Sequence, residues 1–166
     1  MTDLKIRTVQ SSDLERVVEI ESICFPPAEA ASKEALKERL ATFPDGFLVA
    51  DLNGQLVGLI NGAAINSPTI KDEMFSSMKY HIPDGDNLAI FGLDVLPEYQ
   101  KRGIAAQLMQ KYIDAAEKSG RKKILLTCKE QLIHYYEGFG FVNEEQSDSI
   151  HGGAKWYDMS KMIQNS

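Results

Sequence analysis

From Leu93 to Ala105 the chain reads LDVLPEYQKRGIA, and these residues are the most informative about its fold. It begins inside the apolar run of residues 88–95, which predicts a mostly buried strand in the middle of a sheet, and it leads into a segment whose apolar residues recur at helical spacing. A strand that runs through a short loop into a helix directs free backbone N–H groups and the positive end of the helix dipole at one point. The sequence therefore predicts an anion-binding turn with Gly103 at its centre.

The side chains of this turn also suit phosphate binding. Lys101 and Arg102 can add charge-assisted hydrogen bonds to phosphate oxygens. Gly103 has no Cβ that would block a phosphate, and the small side chains of Ala105 and Ala106 keep the approach open. The turn has neither of the two common nucleotide-binding glycine patterns, which argues against nucleotide hydrolysis and dinucleotide redox chemistry. A glycine in such a loop can also serve a purely steric purpose, so that interpretation stays open.

Local signals on either side of the turn predict the remaining elements. The Asn53-Gly54 pair between two apolar runs predicts a hairpin with a type I′ turn. Ser12 and Glu15 have the spacing of a capping box at the start of a first helix, and Ser32 can cap a second one. Predicted strands cover residues 4–9, 46–51, 55–65, 88–95, 124–128, 141–145 and 155–162. Predicted helices begin near residues 12, 32, 103 and 131, with a short helix near residues 71–78. This order indicates a mixed α/β protein with a partly antiparallel sheet.

Composition and charge predict one domain over residues 1–166 and exclude several partners. The length of 166 residues fits a single domain, and the formal net charge of −6 argues against a nucleic-acid partner. No apolar stretch approaches the roughly 18 residues of a membrane span, and the N-terminus lacks the features of a secretion signal, so we expect a cytoplasmic protein with no membrane partner. Cys24 and Cys128 lie far apart and outside any cluster with metal-ligand spacing, so we expect no metal.

Two motifs in the same order and spacing carry a family resemblance. The turn matches the pattern Gln/Arg-x-x-Gly-x-Gly/Ala through Gln100, Gly103 and Ala105, and residues 136–141 read YEGFGF, which contains the pattern Tyr-x-x-x-Gly-Phe. Together they resemble the GNAT N-acetyltransferase superfamily over nearly the whole chain. The resemblance implies the GNAT fold, a central mixed and largely antiparallel sheet of about seven strands flanked by about four helices.

Within that superfamily, residues 125–141 are similar to arylalkylamine N-acetyltransferases, which acetylate amines such as serotonin, and residues 21–32 are similar to bacterial relatives of that group. The resemblance implies direct transfer of the acetyl group from acetyl-CoA to a primary amine of a small molecule, with an arylalkylamine as one such acceptor. A homodimer is a common arrangement in this superfamily.

The resemblance also assigns the cofactor contacts. The pantetheine arm of acetyl-CoA is expected to pair with the strand at Leu93, Asp94 and Val95, where a backbone N–H can polarise the thioester carbonyl. The pyrophosphate is expected to contact Gln100, Lys101, Arg102, Gly103, Ile104, Ala105 and Ala106.

Tyr136 is the general acid that the resemblance implies. A phenol with a reference pKa of about 10 can protonate a departing thiolate or stabilise it with a hydrogen bond. The alternative is an aromatic side chain that only packs at a helix end, and this is the interpretation that we favour for its neighbour Tyr135.

The proton of the amine needs a separate route. Animal arylalkylamine enzymes use two histidines on the central strand, and the corresponding positions here are Ala89 and Phe91. We expect instead a water path to a carboxylate, with Glu21, late in the first helix, and Glu29, just after it, as the candidates. Both could equally be solvated surface acids.

The other candidate residues have simpler interpretations. We expect His81, His134 and His151 to be surface histidines, with His151 in a loop that can lean over the acceptor site. Cys128 is expected to be a small core residue because no base or electropositive setting accompanies it. The side chains that could line a pocket for an aromatic amine, or equally belong to the core, are Phe25, Phe43, Met74 and Phe75.

Two other functions remain open. One is an acyl-CoA binding or sensing domain without turnover, which the missing histidines favour. The other keeps the reaction but transfers the acetyl group to a protein N-terminus or lysine, and an open groove beside the thioester would favour it.

Overall fold

The computed structural model describes residues 3–147, 153 and 155–163, and in these residues the chain forms one seven-stranded sheet of order β1-β2-β3-β4-β5-β7-β6. The strands are Leu4–Thr8 (β1), Phe47–Leu52 (β2), Gln55–Ile65 (β3), Asn87–Val95 (β4), Lys123–Cys128 (β5), Val142–Gln146 (β6) and Tyr157–Met162 (β7). The helices are Leu14–Cys24 (α1), Lys33–Thr42 (α2), Glu73–Ser76 (α3), Ile104–Lys118 (α4) and Ile133–Glu137 (α5). The β4–β5 pair is parallel and every other pair is antiparallel, which confirms the predicted fold class.

Two of the predicted local signals form as expected. Asn53 and Gly54 adopt φ angles of 53° and 89°, so both have the left-handed conformation that a type I′ turn requires between β2 and β3. The Ser32 hydroxyl accepts a hydrogen bond from the Ala35 N–H at 3.1 Å and caps α2.

The predicted capping box at the first helix is wrong. Residues Ser11–Asp13 form a single 3-10 turn, and the Asp13 carboxylate accepts a hydrogen bond from the Gln10 N–H at 2.8 Å. Asp13 also pairs with Arg7 on β1 at 2.9 Å. Asp13 takes the capping position because its carboxylate bonds both to Arg7 of β1 and to the Gln10 backbone, whereas Glu15 points outward and pairs with Lys33.

The main core lies between the sheet and the helices α1, α2 and α4. The long helix α4 contributes Leu108 and Tyr112, both fully buried, and the Tyr112 hydroxyl donates a hydrogen bond to the Gly46 carbonyl at 2.8 Å. Helix α1 contributes Val17 and Ile20. A smaller apolar cluster consists of Ala63, Ile65, Ile70, Met74, Met78, Ala89 and Leu125.

The parallel strands β4 and β5 pair over only part of their lengths. Their pairing runs from Asn87 opposite Lys123 to Ala89 opposite Leu125, after which β4 continues to Val95 and β5 continues to Cys128. Each strand keeps its other neighbour through this region, β3 for β4 and β7 for β5. The sheet therefore opens between two strand edges whose backbone groups have no strand partner there.

Candidate active site

A cavity of about 540 Å³ lies where β4 and β5 separate. Ile90–Leu93 of β4 line one side, and Leu126–Cys128 of β5 line the other. The rest of the wall comes from α1 and the loop after it, from α2, from the region of α3 and from α5. A register shift opposite Asn61 and Gly62 leaves Phe91 as an extra residue in β4, and such a bulge bends a strand locally. Phe91 lines the cavity at this bend.

The turn before α4 has the geometry of an anion site. Gly103 is the N-cap with φ of 81°, and Lys101 also has a positive φ of 64°. The first hydrogen bond of the helix runs from the Gln107 N–H to the Gly103 carbonyl at 3.1 Å. The amides of Ile104, Ala105 and Ala106 precede that bond, so they have no acceptor within the helix.

The side chains of the turn fix its position and leave its surface open. The Gln100 side-chain amide donates a hydrogen bond to the Val95 carbonyl at 2.9 Å, which ties the turn to the end of β4. The Arg102 guanidinium lies 5.4 Å from the centre of the Tyr99 ring, and Lys101 is exposed. A Cβ on Gly103 would meet no atom within 4 Å, so the glycine is required by its backbone conformation and not by crowding.

The three predicted contacts on β4 occupy different environments. The Leu96 N–H donates a hydrogen bond to the Val57 carbonyl on β3 at 2.9 Å. Because hydrogen-bonding direction alternates along an antiparallel strand, the main chain of Asp94 also faces β3, whereas that of Leu93 and Val95 faces away from it. Leu93 lines the cavity, but the side chain of Asp94 is only 1% exposed and faces the protein interior.

Tyr136 lies on α5 and lines the cavity together with Cys128 and Leu132. Its ring packs edge-on against Tyr135 at 5.3 Å and Phe141 at 6.1 Å between ring centres. Burial raises the pKa of Tyr136 above its ordinary value, so the hydroxyl stays protonated and remains a hydrogen-bond donor at neutral pH.

Glu21 is buried at the inner wall of the cavity and is not a solvated surface acid. It lies on the buried face of α1, and its Oε2 accepts a hydrogen bond from the Ala31 N–H at 2.8 Å. Asp94 of β4 lies beside it, and the pKa of Asp94 is raised well above its ordinary value because burial opposes its charge and because Glu21 adds a second negative charge. The two carboxyl groups therefore form a coupled pair.

Arg39 of α2 supplies the positive charge next to this pair. It is 3% exposed, donates hydrogen bonds to the Asn61 side-chain oxygen at 3.0 Å and to the Phe75 carbonyl at 2.7 Å, and lies 5.0 Å from the centre of the Phe91 ring. Burial lowers the pKa of Arg39, and the charges of Glu21 and Asp94 oppose that effect. Arg39 thus joins α2, β3 and the cavity wall at one buried point.

Glu29 forms an ion pair at the cavity wall. Its Oε2 lies 2.8 Å from the Lys129 ammonium, and both residues line the cavity. Lys129 also lies 5.7 Å from the centre of the Trp156 ring. The pair connects the loop after α1 to the residue that follows β5, so Glu29 faces the cavity while its charge is already neutralised.

The other residues proposed from the sequence for the acceptor pocket divide into those that line the cavity and those that belong to the packed interior. Phe25 and Phe75 line the cavity, whereas Phe43 and Met74 belong to the packed interior. Cys128 is buried as predicted and also lines the cavity, and burial raises its pKa to about 11.

The histidines have three different outcomes. His81 is half-buried and not a free surface side chain: its Nδ1 accepts a hydrogen bond from the Ala64 N–H at 3.1 Å, its ring lies 4.5 Å from that of Phe43, and burial lowers its pKa. His134 is fully exposed, as predicted. The prediction for His151 lies outside the described residues.

Sequence reasoning missed four residues of the site: Arg39, Asn61, Gly92 and Lys129. One of them carries a signal that periodicity could have found. Arg39 follows Ala35 by four positions and Leu36 by three, and both are buried, so a charged residue occurs on the inward face of α2. The other three have no local pattern that distinguishes them.

Two properties of the described residues concern membrane spans and metal-binding groups. In the part of the chain that the structure describes, no helix is both long and apolar enough to span a membrane. The same residues contain no group of three or more His, Cys, Asp or Glu side chains arranged to hold a metal ion.

Comparison with known proteins connects this geometry to a family. Residues 14–141 match the Acetyltransferase (GNAT) family. The uncharacterized N-acetyltransferase YkwB of Bacillus subtilis is 32% identical over 117 residues, which are 64% of this chain and 52% of YkwB, so the chain spans about half the length of that relative.

Solved structures share the fold at low sequence identity. The GNAT-like decarboxylase GphF, in complex with isobutyryl-CoA, superposes with a TM-score of 0.85 at 19% identity, covering 96% of this chain and 100% of that one. Naa50 of Arabidopsis thaliana, in complex with a bisubstrate analogue, gives a TM-score of 0.73 at 19% identity, covering 95% and 97%. Since the family match extends over most of the sequence and the topology agrees with it, the chain belongs to the GNAT acetyltransferase family.

Proposed function

We propose that this protein transfers the acetyl group of acetyl-CoA to a primary amine of a small molecule bound between β4 and β5. The observation that carries the proposal is the separation of these strands beyond Ala89 and Leu125. The resulting cavity has a buried carboxylate, Glu21, and a protonated phenol, Tyr136, in its wall. A proton acceptor and a proton donor in one cavity are what acetyl transfer to an ammonium group needs.

The residues of the turn and of β4 suit coenzyme A. The free amides of Ile104, Ala105 and Ala106, with the positive end of α4, would hold the pyrophosphate, and Lys101 and Arg102 are available for its charge. The main-chain groups of Leu93 and the N–H of Val95 face away from β3 and would pair with the pantetheine arm, whereas the Val95 carbonyl already accepts a hydrogen bond from Gln100. Bound there, acetyl-CoA supplies the acetyl thioester. Two related structures contain such ligands: GphF holds isobutyryl-CoA, and the Naa50 ligand is named as a CoA analogue.

The roles of the chain's own residues follow from their environments. Tyr136 keeps its proton because burial raises its pKa, so it would donate that proton, or a hydrogen bond, to the departing thiolate. Glu21 would receive the proton of the amine. Glu29 is less suited to that step because Lys129 already neutralises it at 2.8 Å.

The cavity wall favours a small acceptor with an apolar body. Phe25, Phe75 and Phe91 contribute aromatic surface, and the two cations of the described wall, Arg39 and Lys129, are bound to protein partners. An arylalkylamine belongs to this class. A peptide acceptor, as in the Naa50 complex, would need the wall formed by the loop after α1 to open. A cytoplasmic location and a homodimer stay predictions.

The test is release of free CoA thiol from acetyl-CoA over a panel of arylalkylamines, polyamines, aminoglycosides and peptides. We expect turnover with apolar primary amines and little with the other classes. Turnover restricted to peptides would replace the small-molecule acceptor with a protein one. Binding of CoA without turnover on any amine would favour a sensing domain.

A further inference from the structure

The space beside Gly92 brings together side-chain atoms that lack partners. A Cβ on Gly92 would lie 3.3 Å from Asp94 Oδ1 and 3.7 Å from Glu21 Oε1. Among the described residues, neither of these two oxygens accepts a hydrogen bond. Asp94 Oδ2 and the Asn61 side-chain nitrogen likewise have no hydrogen-bond partner there. Buried polar atoms rarely remain unpaired without a reason.

One shared proton explains most of these unpaired atoms. If both carboxyl groups are ionised, their buried oxygens repel each other and Arg39 offsets only one of the two charges. If one proton lies between them, an O–H of one carboxyl donates to an oxygen of the other, and the charge of Arg39 is matched. Gly92 keeps this space free, because any larger side chain would fill it.

We propose that Glu21 and Asp94 act as one base, in which Glu21 receives the proton of the acceptor ammonium and Asp94 shares it, so that Asp94 is a positioning residue for the reaction. This inference rests on the proposed function, and it names the residue that shares the proton which Glu21 receives. Glu21 lines the cavity, whereas Asp94 is 1% exposed and reaches the substrate only through Glu21.

The proton balance of the step is simple. An N–H bond of the ammonium group breaks, its electron pair stays on nitrogen, and an O–H bond forms on the carboxyl pair. Before the step the pair and Arg39 together carry one net negative charge, which attracts a cation, and afterwards they are neutral. The proton then leaves to water before the next turnover.

Pairing suits the chemistry because a lone carboxylate is a weak base. An ordinary Glu with a pKa of about 4.3 holds a proton poorly, whereas a base is most effective when its pKa is near the working pH. The second buried carboxyl raises the proton affinity of the pair. At low pH the pair already holds its proton and cannot accept another, so activity should rise as the pair loses it.

Cys24, Arg39, Tyr112 and Tyr136, which surround the pair, do not produce this rise. Burial raises the pKa of Cys24 to about 12 and raises that of Tyr112 and Tyr136 as well, so all three stay protonated from about pH 5 to 9. Arginine keeps its charge throughout that range. Besides Glu21 and Asp94 themselves, the ionisable groups that act on the pair or on the residues next to it are Cys24, Glu38, Arg39, Glu98, Tyr112 and Tyr136.

The kinetic test compares Asp94→Asn with the wild type, using one amine for both so that the titration of the amine cancels. Asn has the volume of Asp and keeps a hydrogen-bond donor beside Glu21. We expect the acidic limb of kcat/KM to move to lower pH by about one unit or more, and kcat at the optimum to fall about tenfold. The affinity for CoA should stay within about twofold. An acidic limb that stays in place in Asp94→Asn would overturn the proposal.

A second measurement needs no turnover. Infrared difference spectra of the wild-type protein, recorded at pH values below and above the acidic limb, should show the carbonyl band of a protonated carboxyl group on the acidic side. This band should be lost in Asp94→Asn and in Glu21→Gln. Absence of the band from the wild type would overturn the proposal of a shared proton, even if the enzyme acetylates amines. If no amine is turned over, the band still tests the pair, so the two proposals fail separately.

Asp114→Asn is the matched control. Asp114 lies on the exposed face of α4, where it accepts a hydrogen bond from the Gln110 side chain at 2.9 Å. The same chemical change at this position should leave the acidic limb and the infrared band as in the wild type. A shift of equal size in Asp114→Asn would show that the effect is one of net charge and would count against a specific pair.

Discussion

Ala89 of β4 lies opposite Leu125 of β5, and this is the last pair before the two strands separate. On the side of the cavity, the carboxyl end of β4 and the turn that follows it therefore have no neighbouring strand among the described residues. The hydrogen bond from Gln100 to the Val95 carbonyl holds the turn against the end of that strand. The proposed sites for the diphosphate and for the amine are therefore joined by one strand edge.

Gly103→Ala is expected to weaken CoA binding about tenfold. An alanine at φ of 81° has a conformational cost of about 1–2 kcal/mol, which the turn can avoid only by moving its amides. Gly54→Ala is the control, because Gly54 has φ of 89° and equally open surroundings in the β2–β3 turn. Both variants should lose about 1 kcal/mol of unfolding free energy, but only Gly103→Ala should change the Kd for CoA measured by calorimetry. Equal CoA affinities in both variants would remove the turn from the binding site.

Tyr136→Phe is expected to lower kcat at least about tenfold while the Kd for CoA stays within about twofold, because the change removes a proton donor and keeps the ring. Since burial raises the pKa of Tyr136, its hydroxyl should not titrate below about pH 10, and no alkaline loss of activity should come from it. Tyr135→Phe, at a half-exposed ring on the same helix, should have no effect. A normal kcat in Tyr136→Phe would leave Tyr136 a packing residue.

Glu29→Gln is expected to raise the KM for the amine about three- to fivefold with little change in kcat. The Glu29–Lys129 ion pair holds the loop after α1 against the end of β5, and such partly exposed pairs contribute about 0.5–1 kcal/mol. Lys129→Met should give a similar KM, and the double variant should be no worse than either single one. If kcat falls instead, with a changed pH profile in Glu29→Gln alone, Glu29 is the base.

Asp94 is expected to make the protein less stable as the pH rises. Its pKa in the folded protein lies well above the value of about 3.9 in the unfolded chain, so the folded state binds more protons between these two values. Its contribution is fully present below about pH 4 and is lost as the pH rises through the folded pKa. Urea unfolding at several pH values should therefore show that Asp94→Asn gains stability relative to the wild type as the pH increases. A difference that is constant with pH would contradict a raised pKa at this position.

Most of the fold could be predicted because local chemistry determines it. Asn53-Gly54 and Ser32 form the turn and the cap that their side chains favour, and the apolar runs form β3 and β4. The capping box at Ser12 and Glu15 failed because Asp13 has a tertiary partner, Arg7, that sequence spacing cannot show.

Candidate site residues could be proposed from the sequence only where a continuous motif or a helical register indicates them. Gly103 and Tyr136 are found by their motifs, and Glu21 is found by helical register. Asp94 appeared only as a charge in an apolar strand, and its coupling to Glu21 depends on two elements that meet through tertiary packing. Helical periodicity places Arg39 on the inward face of α2, but nothing in residues 33–42 shows that it lies beside that pair.

The most direct test is calorimetric titration of the protein with acetyl-CoA and with free CoA. We predict that one molecule binds per chain and that Gly103→Ala weakens binding of both forms by the same factor, since the proposed contact of the turn is with the diphosphate that they share. Absence of binding heat for both ligands at about millimolar concentration, where a complex would have only about 4 kcal/mol of binding free energy, would contradict acetyl transfer and CoA sensing alike.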